Sequence, residues 1–139
     1  MKTKIFSLTI VAAVLMLSSS CNKKETPISD YPSLTITSPA ASGAMYYSGN
    51  AIHITGTASA SATDDAHLLH ELSLTVKNTS NNAVVWKAVI RVHDLQSYTI
   101  DTSFIAPVVT ADVDMVLYDS LVNHLEKYAV KSQTFMIMP

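Results

Sequence analysis

Polar and apolar residues alternate along most of the chain after Ser33, and this period of two restricts the fold more than any other feature. The segments LSLTVK, VVWKAVIRV and ADVDMVLYD each place hydrophobic residues at every second position. Successive side chains of a strand point to opposite faces, so each segment is predicted to be a strand with one buried face. Seven such runs, rich in Thr, Val, Ile and Tyr and separated by turn signals, predict an all-β sandwich.

The last run, EKYAVKSQTFMIM, changes its phase partway along. Tyr128 and Val130 share one face of this strand, whereas Phe135 and Ile137 share the other. A β-bulge near Ser132 would shift the alternation in this way, because a bulge inserts one extra residue into a strand. We therefore predict a bulge there.

Residues 62–72, ATDDAHLLHEL, are the one segment with helical character. Asp64 is a suitable N-cap, and Leu68, Leu69 and Leu72 share a helical face. The alternation that begins at Leu72 leaves room for one turn of helix in this connection and not for a long helix.

The first 20 residues have the three parts of a secretory signal peptide. Lys2 and Lys4 precede an apolar run from Ile5 to Leu17, and three serines follow it. This run is shorter than the roughly 20 residues that a membrane-spanning helix needs. A buried core helix is the alternative interpretation, but nothing in the sequence caps such a helix.

Cys21, the only cysteine, comes directly after these serines. The sequence LSSSC, Leu17 to Cys21, resembles the lipobox of bacterial lipoproteins in the relaxed form found in Bacteroidota, with Ser18 where the family usually has leucine. The resemblance implies cleavage before Cys21, lipidation of this residue and anchoring to a membrane. Ordinary secretion is the alternative, and it would leave Cys21 as an unpaired thiol in an oxidising compartment.

These interpretations divide the chain into three parts. Residues 1–20 are predicted to be the signal peptide, residues 21–32 the lipidated cysteine and a flexible tether, and residues 33–139 one β-sandwich domain. The tether, NKKETPISDYP, is polar and contains two prolines. The formal net charge of the chain is −2 and its cations form no cluster, so we do not expect nucleic acid as a partner.

The run ITSPAASGAMYYSGNAIHITGTAS, together with LHELSLTV, resembles bacterial immunoglobulin-like domains. Such domains open with a strand that ends in Ser-Pro, followed by a glycine-flanked turn and an Ile-x-Ile-x-Gly strand. Asp119 to Asn123, DSLVN, is similar to their last hairpin, with Val122 in place of the usual glycine. The resemblance spans residues 33–139 and implies an immunoglobulin-like sandwich, a fold that serves adhesion, carbohydrate binding and spacing alike.

In an immunoglobulin-like sandwich the B–C, C′–E and F–G loops meet at one end, which we call the rim. On this topology the rim gathers four of the five histidines together with several carboxylates. Carboxylates suit calcium and histidines suit zinc, so we predict a divalent-ion or polar-ligand site there, with a merely solvated rim as the alternative. The candidate residues are Asp64, Asp65, His67 and His70 from the B–C loop, His93 and Asp94 from the C′–E loop, and Asp119, Asn123, His124 and Glu126 from the F–G loop.

The same topology predicts where the tether enters the domain. The first strand runs antiparallel to the second, so the chain is expected to enter at the rim. The rim of an anchored protein would then face the membrane, and Pro139 would point away from it.

Catalytic motifs are missing from the sequence. It has no nucleophile elbow, no phosphate-binding glycine loop and no His-Glu-x-x-His, and the segment HLLHE lacks the spacing of the zinc motif, so we expect no enzymatic activity. A hydrolase would need a His/Asp pair hidden on the rim. Trp86, Tyr46, Tyr47 and Tyr98 are a candidate sugar-stacking platform, and packing into the core is the alternative for Trp86 and Tyr98.

The expected protein is thus a small lipoprotein whose single sandwich domain has a binding or structural function at the cell envelope. Its expected partners are the membrane, through lipidated Cys21, and a protein or a glycan. In the lipoprotein family an aspartate after the cysteine is associated with inner-membrane retention, and this chain has Asn22 there, which favours the outer membrane. Apart from a calcium or zinc ion on the rim, we expect no cofactor.

Overall fold

Eight β-strands make up the part of the chain that the computed structural model describes, residues 28–41 and 43–139. In chain order they are β1 (Ser33–Ser38), β2 (Ala44–Tyr47), β3 (Ala51–Ser59), β4 (Leu69–Asn78), β5 (Val84–Leu95), β6 (Ser97–Ile105), β7 (Val113–Asn123) and β8 (Tyr128–Met138). Within these ranges no helix is long and apolar enough to cross a membrane. The predicted signal peptide, Cys21 and the tether before Ile28 lie outside the described residues.

The strands form two sheets. One sheet has the order β1-β3-β6, and the other has the order β2-β8-β7-β4-β5. β2 pairs with β8 in parallel, and every other pairing is antiparallel. In immunoglobulin nomenclature β1, β3 and β6 are strands A, B and E, and β8, β7, β4 and β5 are strands G, F, C and C′. The predicted all-β, immunoglobulin-like sandwich is confirmed.

The core lies between the two sheets and consists of the apolar positions of the alternating runs. Burying one such leucine, isoleucine or phenylalanine stabilises the fold by about 1.5–3 kcal/mol. Gly56 has a specific place in this packing, because a Cβ atom there would collide with the carbonyl oxygen of Thr35 and with Ile36 on β1. The fully buried large side chains are Ile52, Ile54, Leu69, Leu72, Leu74, Val76, Val92, Ile100, Met115, Leu117, Leu121 and Ile137.

The segment before β3 contains one more strand than the sequence suggests. The predicted turn-rich connection SPAASGAMYYSGN includes the short strand β2, so the described domain has eight strands rather than about seven. Tyr46 of β2 is half-buried, and its ring meets the ring of Phe135 edge-on at 5.7 Å. A strand of four residues is too short for alternation to reveal it.

The bulge predicted near Ser132 is wrong. The register between β7 and β8 runs without a shift from Val113↔Ile137 to Val122↔Tyr128. Tyr128 and Val130 are 57% and 62% exposed on the outer face of the sheet. These two hydrophobic residues face solvent instead of the core. The sequence pattern therefore changes phase although the strand itself is regular.

The helical turn predicted within residues 62–72 is a tight turn without a helix. The N–H of His67 donates to the carbonyl oxygen of Asp64 at 3.0 Å, and β4 begins at Leu69. The Asp64 carboxylate does not cap a helix, because it binds the ring of His67 instead.

The hairpin predicted at Asp119–Asn123 is also wrong. These residues continue strand β7, and the turn to β8 lies at residues 124–127. The inward and outward alternation of β7 runs through Asp119 to Asn123. Strand pairing with β4 therefore prevails over the local turn signal.

Candidate metal centre

The rim is the end of the sandwich at which three connections and the N-terminal segment meet. Leu69 at the start of β4 pairs with Leu95 at the end of β5 and with Asn123 at the end of β7. In the other sheet, Ser59 at the end of β3 pairs with Ser33 and Ser97, the first residues of β1 and β6. Side chains from distant parts of the sequence thus become neighbours at this end.

Two irregularities of the five-stranded sheet coincide at His70. Between Leu69 and Glu71, the register of β4 shifts relative to both β5 and β7. Such bulges redirect side chains and occur often beside functional sites. Here the pairing of β4 with β5 and with β7 is irregular on both sides of His70.

Three histidines converge at this point and form what we call the histidine cluster: His70 on β4, His93 on β5 and His124 just after β7. Their ring centroids are 4.9 Å (His70–His93), 5.4 Å (His70–His124) and 4.7 Å (His93–His124) apart. One ring nitrogen of each lies within 4.8 Å of the corresponding nitrogens of the other two. Three imidazoles in such proximity are a typical donor set for zinc and other late divalent transition metals.

His124 is the most firmly held member of the histidine cluster. Its backbone N–H donates to the carbonyl oxygen of Leu68 at 3.2 Å, and its side chain is 23% exposed. Its Nε2 atom is buried and has no hydrogen-bond partner among the described residues. A buried polar atom without a partner is costly, and coordination to a metal ion would satisfy this nitrogen.

Asp94 links two of these rings. Its Oδ2 atom lies 2.8 Å from Nδ1 of His93, and its Oδ1 atom lies 3.4 Å from Nε2 of His124. The backbone of Asp94 is left-handed, with φ of 64°. A negative charge therefore stands beside the cluster, where it would favour a bound cation.

The histidine cluster opens into a groove of about 570 Å³ on the outer face of the five-stranded sheet. Glu71, Glu126 and Tyr128 also line this groove. Solvent and ions therefore reach the cluster directly.

A second group at the rim, the His67 cluster, consists of His67, Asp64 and Asp30. Nδ1 of His67 lies 2.7 Å from both carboxylate oxygens of Asp64, and Nε2 lies 3.5 Å from Oδ1 of Asp30. The hydrogen bond to Asp64 raises the pKa of His67, and the same bond lowers the pKa of Asp64. The geometry favours a protonated imidazole between two carboxylates.

The His67 cluster and Asn123 hold the N-terminal segment at the rim. The side-chain amide of Asn123 donates to the carbonyl oxygen of Asp30 at 2.7 Å, and its Oδ1 accepts the N–H of Lys127 at 3.0 Å. The ammonium group of Lys127 lies 5.9 Å from the centre of the Tyr31 ring. Asp30 stands outside every motif in the sequence, which explains why sequence reasoning did not include it in the site.

The remaining predicted site residues fall in different places. Asp119 does not lie on the rim: it is fully buried within β7, where neither carboxylate oxygen has a partner among the described residues, and burial raises its pKa to about 7. Asp65 is exposed on the connection before β4. The buried Asn123 uses its amide for the contacts above and also lines the groove.

The aromatic residues proposed as a sugar platform do not share one exposed surface. The ring of Trp86 stacks on Phe104 at 5.3 Å and 23°. Tyr46 and Tyr98 also pack against the core, whereas Tyr47 is 59% exposed. Packing into the core accounts for three of the four.

Fold and site together define an all-β, immunoglobulin-like sandwich with a histidine-rich rim. A scan against protein-family models and a search of curated proteins find no match to the chain. Among solved structures, the chain is similar to a structure of murine CRIg, with 5% sequence identity, a TM-score of 0.42, and coverage of 78% of this chain and 97% of that chain.

Proposed function

We propose that the protein is a lipid-anchored module of the cell envelope that binds a divalent transition-metal ion at its rim. The observation that carries the proposal is the convergence of His70, His93 and His124, whose ring nitrogens lie within 4.8 Å of one another. The proposed role is binding, without catalysis.

The donor set favours zinc or a similar metal over calcium. Metal–nitrogen bonds of about 2.0–2.1 Å in a tetrahedron place ligand atoms roughly 3.3 Å apart, so the three nitrogens need to close by no more than about 1.5 Å. His70 and His93 are exposed side chains, so their rings have room to rotate toward a shared ion. Calcium prefers six to eight oxygen ligands, and the rim does not gather them: Asp30 and Asp64 bind His67, and Asp119 lies in the core.

Membrane anchoring is supported by the lipobox resemblance at Leu17–Cys21. Asp30 lies at the rim, and the chain between Cys21 and Asp30 spans at most about 30 Å when fully extended. An anchored domain would therefore hold its metal centre close to the lipid surface. The test is the variant Cys21→Ser, which should release the protein from membranes and abolish labelling by a fatty-acid analogue; membrane association that persists would contradict the anchoring.

Metal binding is tested by thermal unfolding of the purified protein after treatment with a chelator. Zinc at about 100 times its dissociation constant should stabilise the fold by about 2.7 kcal/mol, a rise in Tm of about 10 °C or more for a domain of this size. Calcium should produce no comparable rise.

Two matched histidine variants test whether the zinc-dependent rise in Tm arises at the histidine cluster. His93→Ala should abolish the zinc-dependent rise in Tm, whereas His53→Ala, which removes an exposed histidine from β3 in the opposite sheet, should retain it. The proposal fails if zinc leaves Tm unchanged or if both variants respond like the original protein.

A further inference from the structure

We propose that Asp94 supplies the fourth ligand of the metal ion and so completes a coordination sphere of three nitrogens and one oxygen. This inference rests on the metal binding proposed above. It assigns the site to the class with four protein ligands, which hold a metal, and not to the class that keeps one position open for a substrate.

The distances around the Asp94 carboxylate support this role. In a tetrahedral zinc site, bonds of about 2.0–2.2 Å separate neighbouring ligand atoms by roughly 3.3 Å. The two carboxylate oxygens of Asp94 lie 2.8 Å from Nδ1 of His93 and 3.4 Å from Nε2 of His124. Each oxygen thus lies within about 0.5 Å of this separation from one imidazole nitrogen. Because the two contacts use different oxygens, rotation of the Asp94 side chain is needed to bring one oxygen to a position shared with the imidazoles.

The burial of the His124 ring nitrogen also bears on this role. Its Nε2 atom is buried and lacks a hydrogen-bond partner, although Asp94 Oδ1 is only 3.4 Å away. A metal ion bound between this nitrogen and the Asp94 carboxylate would give both groups a partner.

The backbone at Asp94 also distinguishes this position. Three non-glycine residues among those described have positive φ: Asn82 and Glu126 lie in turns, whereas Asp94 lies within strand β5, in the stretch where its register with β4 shifts. A left-handed residue in a strand is strained, and such strain is concentrated at binding and catalytic sites. Asp and Asn tolerate this conformation better than most residues, which makes Asp94→Asn a conservative test.

A set of three nitrogens and one oxygen specifies the class of ion. Imidazole nitrogen suits zinc, copper, nickel and cobalt, and one carboxylate partly neutralises the charge of a divalent ion. Cobalt is therefore a suitable spectroscopic probe, because it takes tetrahedral sites of the same type as zinc.

The decisive experiment places a thiolate at position 94 and measures the absorption of the cobalt-loaded protein. If this side chain reaches the metal, Asp94→Cys should produce the near-ultraviolet charge-transfer band of a thiolate–cobalt bond. Asp65→Cys, a matched variant on an exposed part of the same rim, should not produce it. The original protein, which contains Cys21, serves as the blank.

Zinc affinity gives a second readout that does not depend on how well cysteine is tolerated at a left-handed position. Asp94→Asn should weaken zinc binding more than the roughly 10- to 100-fold typical of outer-shell changes, while Asp65→Asn should leave it within about threefold. If the original protein binds neither zinc nor cobalt, the proposed function fails. If it binds both, but Asp94→Cys gives no band and Asp94→Asn binds zinc normally, then the metal site stands and the role of Asp94 is overturned.

Discussion

The two clusters at the rim use the same residue types in opposite proportions. In the His67 cluster one imidazole faces two carboxylates, so that each ring nitrogen has an acidic neighbour. In the histidine cluster the single carboxylate of Asp94 contacts two of the three imidazoles, and the ring centroids are 4.7–5.4 Å apart. An excess of carboxylates stabilises a proton on the ring, whereas three clustered imidazoles offer nitrogen lone pairs to a metal ion.

The comparison also predicts opposite responses to pH. The pKa of His67 is raised in the folded protein, so its contribution to stability is complete below the unfolded value of 6.5 and is lost as pH rises through the folded pKa. Imidazoles must lose their protons before they bind a metal, so stabilisation by zinc should increase with pH. The contribution of the His67 cluster to stability should therefore decrease as pH rises, whereas stabilisation by zinc at the histidine cluster should increase.

The largest expected effect separates the two clusters by metal affinity. His124→Ala removes a direct ligand and should weaken zinc binding by more than the roughly 10- to 100-fold that outer-shell substitutions cost. His67→Ala, the matched change a short distance away on the same rim, should alter zinc affinity by less than about threefold. Isothermal titration calorimetry of both variants measures the difference, and equal losses would show that the two clusters act as one site.

The next effect concerns Asp119, whose titration must be separated from that of His67. Burial raises its pKa from 3.8 to about 7, so the folded state favours the neutral acid, and stability falls as pH rises from about 4 to 7. Asp119→Asn removes this dependence and should stabilise the protein at pH 8 by an amount on the order of 2–4 kcal/mol.

Urea unfolding at pH 5 and pH 8 tests this prediction. At pH 5 the original side chain is already neutral when folded, so the variant should gain little there. A gain of the same size at both pH values would contradict the assignment, since it would not come from ionisation.

The smallest effect is that of His67 itself. In His67→Gln the component of stability that is lost above pH 6.5 should disappear, so the variant should lose less stability than the original protein between pH 6 and pH 8. The Asp119→Asn background gives the clearest result, because the other large titration in this range has been removed. Parallel curves for the two proteins would show that the ion pair with Asp64 contributes nothing.

The sandwich could be predicted from the sequence because the alternation of polar and apolar residues reflects burial directly, as at the buried Leu72, Leu74 and Val76. It also placed His70, His93 and His124 at one end, because strand order alone brings their connections together. It failed where a local signal competed with strand pairing: DSLVN resembles a turn, yet β4 holds it in β7, which carries Asp119 into the core.

The geometry of the site was out of reach of the sequence for a different reason. The register shifts at His70 and the left-handed backbone at Asp94 arise from the pairing of three strands, and no residue pattern encodes them. The role of Asp30 likewise depends on the fold, which brings it to His67 and Asn123.

The most direct test of the account is the stoichiometry and pH dependence of zinc binding, measured by equilibrium dialysis of the metal-free protein. We expect one zinc ion per chain at about pH 7.5 and less binding at about pH 5.5, because protons compete with zinc for imidazole nitrogens. His124→Ala should bind much less zinc than the original protein at about pH 7.5. Binding that is absent at both pH values, or that survives unchanged in His124→Ala, would contradict the assignment of the rim as a metal centre.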